Sequence, residues 1–162
     1  MNESVEIIRD LLESLQVIWT ESAAVKEYLT RLEARATKMT THLTGMPGGG
    51  QKDSEALLAK LADARAQWAD IVQRYVMATT VLTDFINGSP LTDREKDIML
   101  SRYVENRTWP RVLKKVNAHE PKVTERTLYR MHNKAFTKLV EYYDKGGLSE
   151  ETTDLIREVV QR

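Results

Sequence analysis

Arg126, Arg130 and Lys134 recur at four-residue steps in the stretch V-T-E-R-T-L-Y-R-M-H-N-K-A-F, residues 123–136, beginning two residues after Thr124, a threonine suited to capping a helix. Side chains three and four apart share a helix face. A face of this kind has two uses. It can stay in water as an ordinary charged surface, or it can lie against a polyanion. Guanidinium groups present forked donors that match guanine edges and phosphates, and an amide such as Asn133 can pair with adenine or hold a phosphate.

Other chemistry finds little support. The chain has no cysteine, so disulfides and thiolate metal sites are excluded. His42, His119 and His132 stand far apart, without carboxylates at metal-ligand spacing. Ser4, Ser54, Ser89 and Ser149 fall at expected helix starts or turns, where capping accounts for them. Glu150, Glu151, Asp154 and Glu158 make an acidic helix face rather than an acid–base pair. T-G-M-P-G-G-G-Q-K-D (44–53) sets glycines beside a lysine, but it follows a helix and ends Gly50-Gln51-Lys52-Asp53. A phosphate loop instead follows a strand and ends in Gly-Lys-Ser/Thr. The expectation is a protein that is not an enzyme and carries no cofactor or metal.

The elements that position the basic stretch follow from periodicity. Apolar residues at Ile8, Leu15, Leu29, Ala36 and Leu43, interleaved with Leu11, Ile18, Val25, Leu32 and Met39, form a heptad seam broken by Ser22. A second seam joins Leu57, Ala64, Ile71, Ala78 and Phe85 to Leu61, Trp68, Tyr75 and Leu82. Neither segment holds an internal proline, so both read as long helices, with Asp53 as the expected N-cap of the second. Leu12, Trp19, Leu58, Val72 and Ile86 widen the seams beyond what one helix pair can cover. The expectation is an all-α chain that opens with a long antiparallel helical hairpin, a coiled coil over 1–89, and forms a homodimer through residues 5–88.

Asn87-Gly88-Ser89-Pro90 ends the second helix. Thr92 to Glu95 is a capping box opening a helix to about Val104. Thr108 caps a short helix with Pro110 in its first turn, and Thr124 opens a third that stops near Lys145, before Gly146-Gly147. Ser149 starts a last acidic helix in the tail, 148–162. The net charge of zero hides a segregation: residues 1–89 hold 9 Lys/Arg against 12 Asp/Glu, residues 90–147 hold 13 against 8, and the tail 2 against 4. Positive potential is thus confined to 90–147.

On the third helix, Leu128, Met131, Ala135, Leu139 and Tyr142 fall in one sector of roughly 80°. Arg126, Arg130 and Asn133 lie opposite, with Thr127 and Lys134 on a flank. Three short helices ending in a basic one match the helix-turn-helix plan, in which the last helix enters the major groove. Arg107, Lys114, Lys115 and Lys122 are placed for backbone contacts.

L-T-D-R-E-K-D-I-M-L-S-R-Y-V-E-N-R-T-W-P-R-V (91–112), followed by V-T-E-R-T-L-Y-R-M-H-N-K-A-F-T-K-L (123–139), resembles region 4 of bacterial sigma factors. It is more similar still to the sigma-region-4-like regulators of phages and prophages, of RinA and ArpU type. Trp109, the run 125–130 and the stretch 34–50 carry that likeness. The resemblance covers about 50 residues of the basic segment well and the glycine loop loosely. It implies base contacts by Glu125, Arg126, Tyr129 and Arg130, double-stranded DNA as partner and RNA polymerase as a candidate second one. The extra residues at Asn117 to Lys122 depart from the family's turn, and the other sigma regions are missing.

The function expected is therefore a sequence-specific DNA-binding regulator of late phage genes. A small terminase subunit, which joins a helix-turn-helix to a ring-forming helical region, is the alternative. A protein-interaction module with a basic face is a third. No apolar run nears the roughly 18 residues of a membrane span, and the first residues lack a signal peptide's pattern, so a cytoplasmic protein is expected.

Overall fold

The computed structural model of the chain describes residues 3–42 and 51–161, with side chains over 3–39 and 52–159. The described residues are all helix and connection: α1 Glu3–His42, α2 Gln51–Gly88, α3 Asp93–Met99, α4 Trp109–Val116, α5 Glu125–Asp144 and α6 Glu150–Gln161. A π-helical turn over Leu100–Val104 continues α3. None of the described helices is long and apolar enough to cross a membrane. Leu43 and the glycine loop expected from residue 44 lie outside the described residues, the loop up to Gly50. Because α2 already starts at Gln51, Asp53 sits in its first turn and is not its N-cap. An acidic residue in the first turn interacts favourably with the positive end of the helix dipole.

The chain forms two compact units, Met1–Val17 with Val76–Arg162, and Ile18–Tyr75. Each long helix contributes to both, and the sequence boundary at 89/90 falls inside the first unit.

In the unit Ile18–Tyr75, Leu32, Leu57, Leu61 and Ala64 bury one another, with Leu29, Ala36 and Met39 against them. Trp19 meets Tyr75 at 6.2 Å between ring centroids, and Glu33 lies 3.6 Å from Arg65. Residue numbers on α1 thus rise as those of their α2 partners fall. Arg74 is only 5% exposed. Its Nη1 donates to Glu21 at 3.1 Å, and Asp70 stands 3.7 Å from its Nε. A buried guanidinium is tolerable because these carboxylates replace the water it has lost. The widened flank stays open, with Trp19 55%, Leu58 59% and Val72 42% exposed.

In the other unit, Ile8, Leu11, Leu12 and Leu15 of α1 and Ala78, Leu82, Phe85 and Ile86 of α2 are buried. Ile98, Val112, Val116 and Leu128 tie α3, α4 and α5 into one core, flanked by Trp109, Leu113, Val123 and Met131. The capping box at α3 is complete: Glu95 N donates to Thr92 Oγ1 at 3.2 Å and Thr92 N to Glu95 Oε2 at 3.0 Å. Thr108 holds the N-cap position of α4, but its hydroxyl makes no capping bond, contrary to its expected role. Pro110 removes one of the free N–H groups a cap would serve. In the tail, Ser149 Oγ accepts from Thr152 N at 3.1 Å, and α6 buries Ile156 and Val159.

The connection between α4 and α5 is held at two points. The Asn117 side chain accepts from Val123 N at 2.8 Å and donates to Val123 O at 3.0 Å. Arg94 of α3 donates to the carbonyls of His119 at 3.1 Å and Val116 at 3.4 Å, and also to that of Pro121. Carbonyls at and beyond the end of α4 thus converge on one guanidinium.

Candidate nucleic-acid interface

α5 starts where Thr124 Oγ1 accepts from Thr127 N at 3.2 Å. The Thr127 hydroxyl lies 3.0 Å from Thr124 Oγ1, so this side chain is engaged in the cap. From there Leu128, Ala135, Leu139 and Val140 are buried. Glu125, Arg126, Tyr129, Arg130, Asn133 and Lys134 are exposed. The apolar and polar faces expected for this helix are both present.

Electrostatics sorts the cations of this unit into two groups. Arg94 serves loop carbonyls, and Lys138 pairs with Glu95 at 2.7 Å. Arg102 donates to Arg107 O at 2.9 Å and lies 4.9 Å from the Trp109 ring centroid. Arg107 and Lys115, both expected to meet a backbone, hold opposite sides of Glu105 at 2.5 and 2.6 Å. The hydrogen bond from Lys115, aided by Arg107, outweighs burial and keeps the Glu105 carboxyl below its ordinary range. Asn106, at φ 51°, reverses the chain between Glu105 and Arg107. The second group includes Arg126, Arg130, Lys134, Lys114 and Lys122, all exposed and without a salt bridge among the described residues; Arg111 and Lys145 share that state, and Lys134 acts on the Glu95 carboxyl through its charge alone.

Tyr129 OH donates to Glu125 Oε1 at 3.2 Å, and its ring meets the edge of Trp109 at 5.0 Å. Trp109 also packs against His132 at 4.9 Å. His132 is the residue whose part the sequence did not disclose. Its Nε2 lies 2.7 Å from Tyr103 OH and its Nδ1 3.3 Å from Asn133 Oδ1. A neutral ring protonated at Nδ1 satisfies both: Tyr103 donates to Nε2, and Nδ1–H donates to Asn133. This leaves the Asn133 amide N–H groups free to donate outward. Tyr103 belongs to the π-helical turn Leu100–Val104.

Burial, reinforced by the nearby Arg102 charge, lowers the His132 pKa below 6.5, against the raising effect of Asn133. The group binds its proton less well folded than unfolded, so stability is complete above about pH 6.5 and declines as pH falls through the folded pKa. Thermal melts should therefore shift downward below about pH 6.5, before the carboxylates begin to titrate. His132→Gln should remove that part of the slope. An unchanged slope in the variant would show that His132 is not its source.

No family model, curated protein or solved structure matches the chain.

Proposed function

We propose that the chain is a sequence-specific regulator of transcription that binds double-stranded DNA, of phage or prophage origin, acting on late genes. In this reading α3, α4 and α5 form a helix-turn-helix, and α5 enters the major groove N-terminal end first. One observation carries it: Arg126, Arg130 and Lys134 stand exposed and without salt bridges among the described residues, in a unit where Arg94, Arg107, Lys115 and Lys138 all have internal partners. Exposed cations without salt bridges, gathered along one helix, fit a surface awaiting an external anion. The sigma-region-4 likeness of residues 91–139 supports the same reading and makes RNA polymerase a candidate second partner. The long helices act as a hairpin whose exposed Trp19, Leu58 and Val72 cover those of a second copy, giving a homodimer through residues 5–88.

Selection of bound duplex fragments from the source genome, with the mass of the complex measured alongside, tests this. A defined recognition site, affinity falling steeply with the logarithm of salt concentration, and a dimer are expected. Absence of duplex binding even at low salt rejects the reading. A large ring bound to DNA redirects it to the small terminase subunit.

A further inference from the structure

Resting on the DNA-binding reading, we infer that Arg9 and Asn133 form a phosphate clamp at the flank of α5, so that the first turns of α1 belong to the DNA-contacting surface. The two residues lie 124 positions apart, yet they line one cleft together with Glu13, Tyr103, His132 and Phe136. Arg9 is exposed and makes no salt bridge among the described residues. Asn133 stands on the same helix as Arg126 and Arg130, about two turns beyond Arg126 from the end expected to enter the groove. The hydrogen-bonded row Tyr103–His132–Asn133 spends the Asn133 carbonyl on His132 and presents its amide N–H groups as donors. An amide held this way is poorly suited to the paired donor–acceptor recognition of adenine and well suited to a phosphate oxygen. Arg9 supplies the charge, in the forked form that phosphate takes best.

Glu13 lines the same cleft, one turn along α1 from Arg9. Its carboxylate opposes an anion there and so sets the strength of the clamp. It also makes the ligand one that approaches from the open side beside Asn133, as a backbone does, rather than an anion enclosed by the cleft.

The test uses the full chain with its selected duplex and with an unrelated duplex, each titrated across roughly 50–200 mM salt. One neutralised phosphate contributes about 0.9 to the slope of log affinity against log salt, or about eightfold at 0.1 M. Arg9→Gln should therefore weaken both duplexes about eightfold and flatten the slope by about 0.9, without altering which site is chosen. Arg9→Lys should keep most of the affinity, and Glu13→Gln should tighten both complexes. Arg9 is exposed and glutamine is a good helix former, so the melting temperature serves as the folding control. If Arg9→Gln matches the parent in affinity and slope while Arg126→Ala binds less well, the clamp is overturned and the DNA-binding reading stands. If the parent binds neither duplex, both fall together.

Discussion

A chain with Arg126→Ala and Arg130→Ala loses the preference for its recognition site while its melting curve stays that of the parent. Each substitution should cost about 1–3 kcal/mol of specific binding, since each removes a forked donor from the groove-facing side of α5. Folding is spared for three reasons. Both side chains are exposed, both lie opposite Leu128 and Ala135, and neither holds an internal salt bridge among the described residues. Alanine is at least as good a helix former as arginine, and removing positive charge near a helix N-terminus relieves an unfavourable interaction with the macrodipole. Anisotropy titrations of the selected duplex and an unrelated one separate the possible outcomes. Loss on the selected duplex alone assigns base contacts, and equal loss on both assigns phosphate contacts. Binding equal to that of the parent on the selected duplex would end the role given to this helix.

Periodicity located the elements well because each heptad position reports its own burial. Every described seam residue, from Ile8 to Met39 and from Leu57 to Phe85, is buried or half-buried. Thr92 with Glu95 and Thr124 act as their local patterns imply, because a cap involves partners three residues away. What escaped the sequence is pairing between distant residues. Asp70, one turn before Arg74, is a local partner any exposed helix face could offer; the partner that accompanies its burial, Glu21, stands 53 positions earlier. Arg107 and Lys115 looked as available as Arg126 until a chain reversal at Asn106 set Glu105 between them. Counting Lys/Arg against Asp/Glu gives 90–147 the same excess whether or not those cations are paired, so it measures the potential of the segment but does not place it. The same holds for α1: its first turns follow the heptad pattern of the rest of the helix, yet residues up to Val17 belong to the unit that holds α5.

Within α5 itself the cations divide in the same way. Two turns beyond Arg130, Lys138 turns to α3, where its Nζ donates to the two carboxylate oxygens of Glu95 at 2.7 and 3.0 Å. Lys138 therefore anchors α5 on α3, while Arg126 and Arg130 stay exposed and without a salt bridge among the described residues. The surface assigned to DNA and the ion pair that mounts it come from the same helix.

Glu95→Ala should accordingly destabilise the unit by about 3 kcal/mol, the lower end for breaking a buried ion pair, because Lys138 is partly exposed and can turn toward water. Glu95 is only 5% exposed, and besides Lys138 it accepts from Thr92 N at 3.0 Å. The alanine variant thus also loses one half of the capping box, the bond from Thr92 N, while Thr92 Oγ1 still accepts from the backbone N of residue 95. Glu95→Gln keeps the capping geometry and loses only the charge, so its cost should be smaller. Burial works to raise the Glu95 pKa, but Lys138 and the Thr92 N–H outweigh it and hold the carboxyl below 4.5. Its contribution is therefore complete above about pH 4.5 and is lost as pH falls through the folded pKa. Lys138→Met removes the main lowering influence, so in that variant the loss of stability on acidification should be smaller than in the parent. Urea midpoints of the parent, both single variants and the Glu95→Gln, Lys138→Met pair, taken from pH 7 to pH 3, measure the coupling directly. A Glu95→Ala stability within about 0.5 kcal/mol of the parent, the range of ordinary surface substitutions, would show that α5 is mounted on α3 by its apolar core alone.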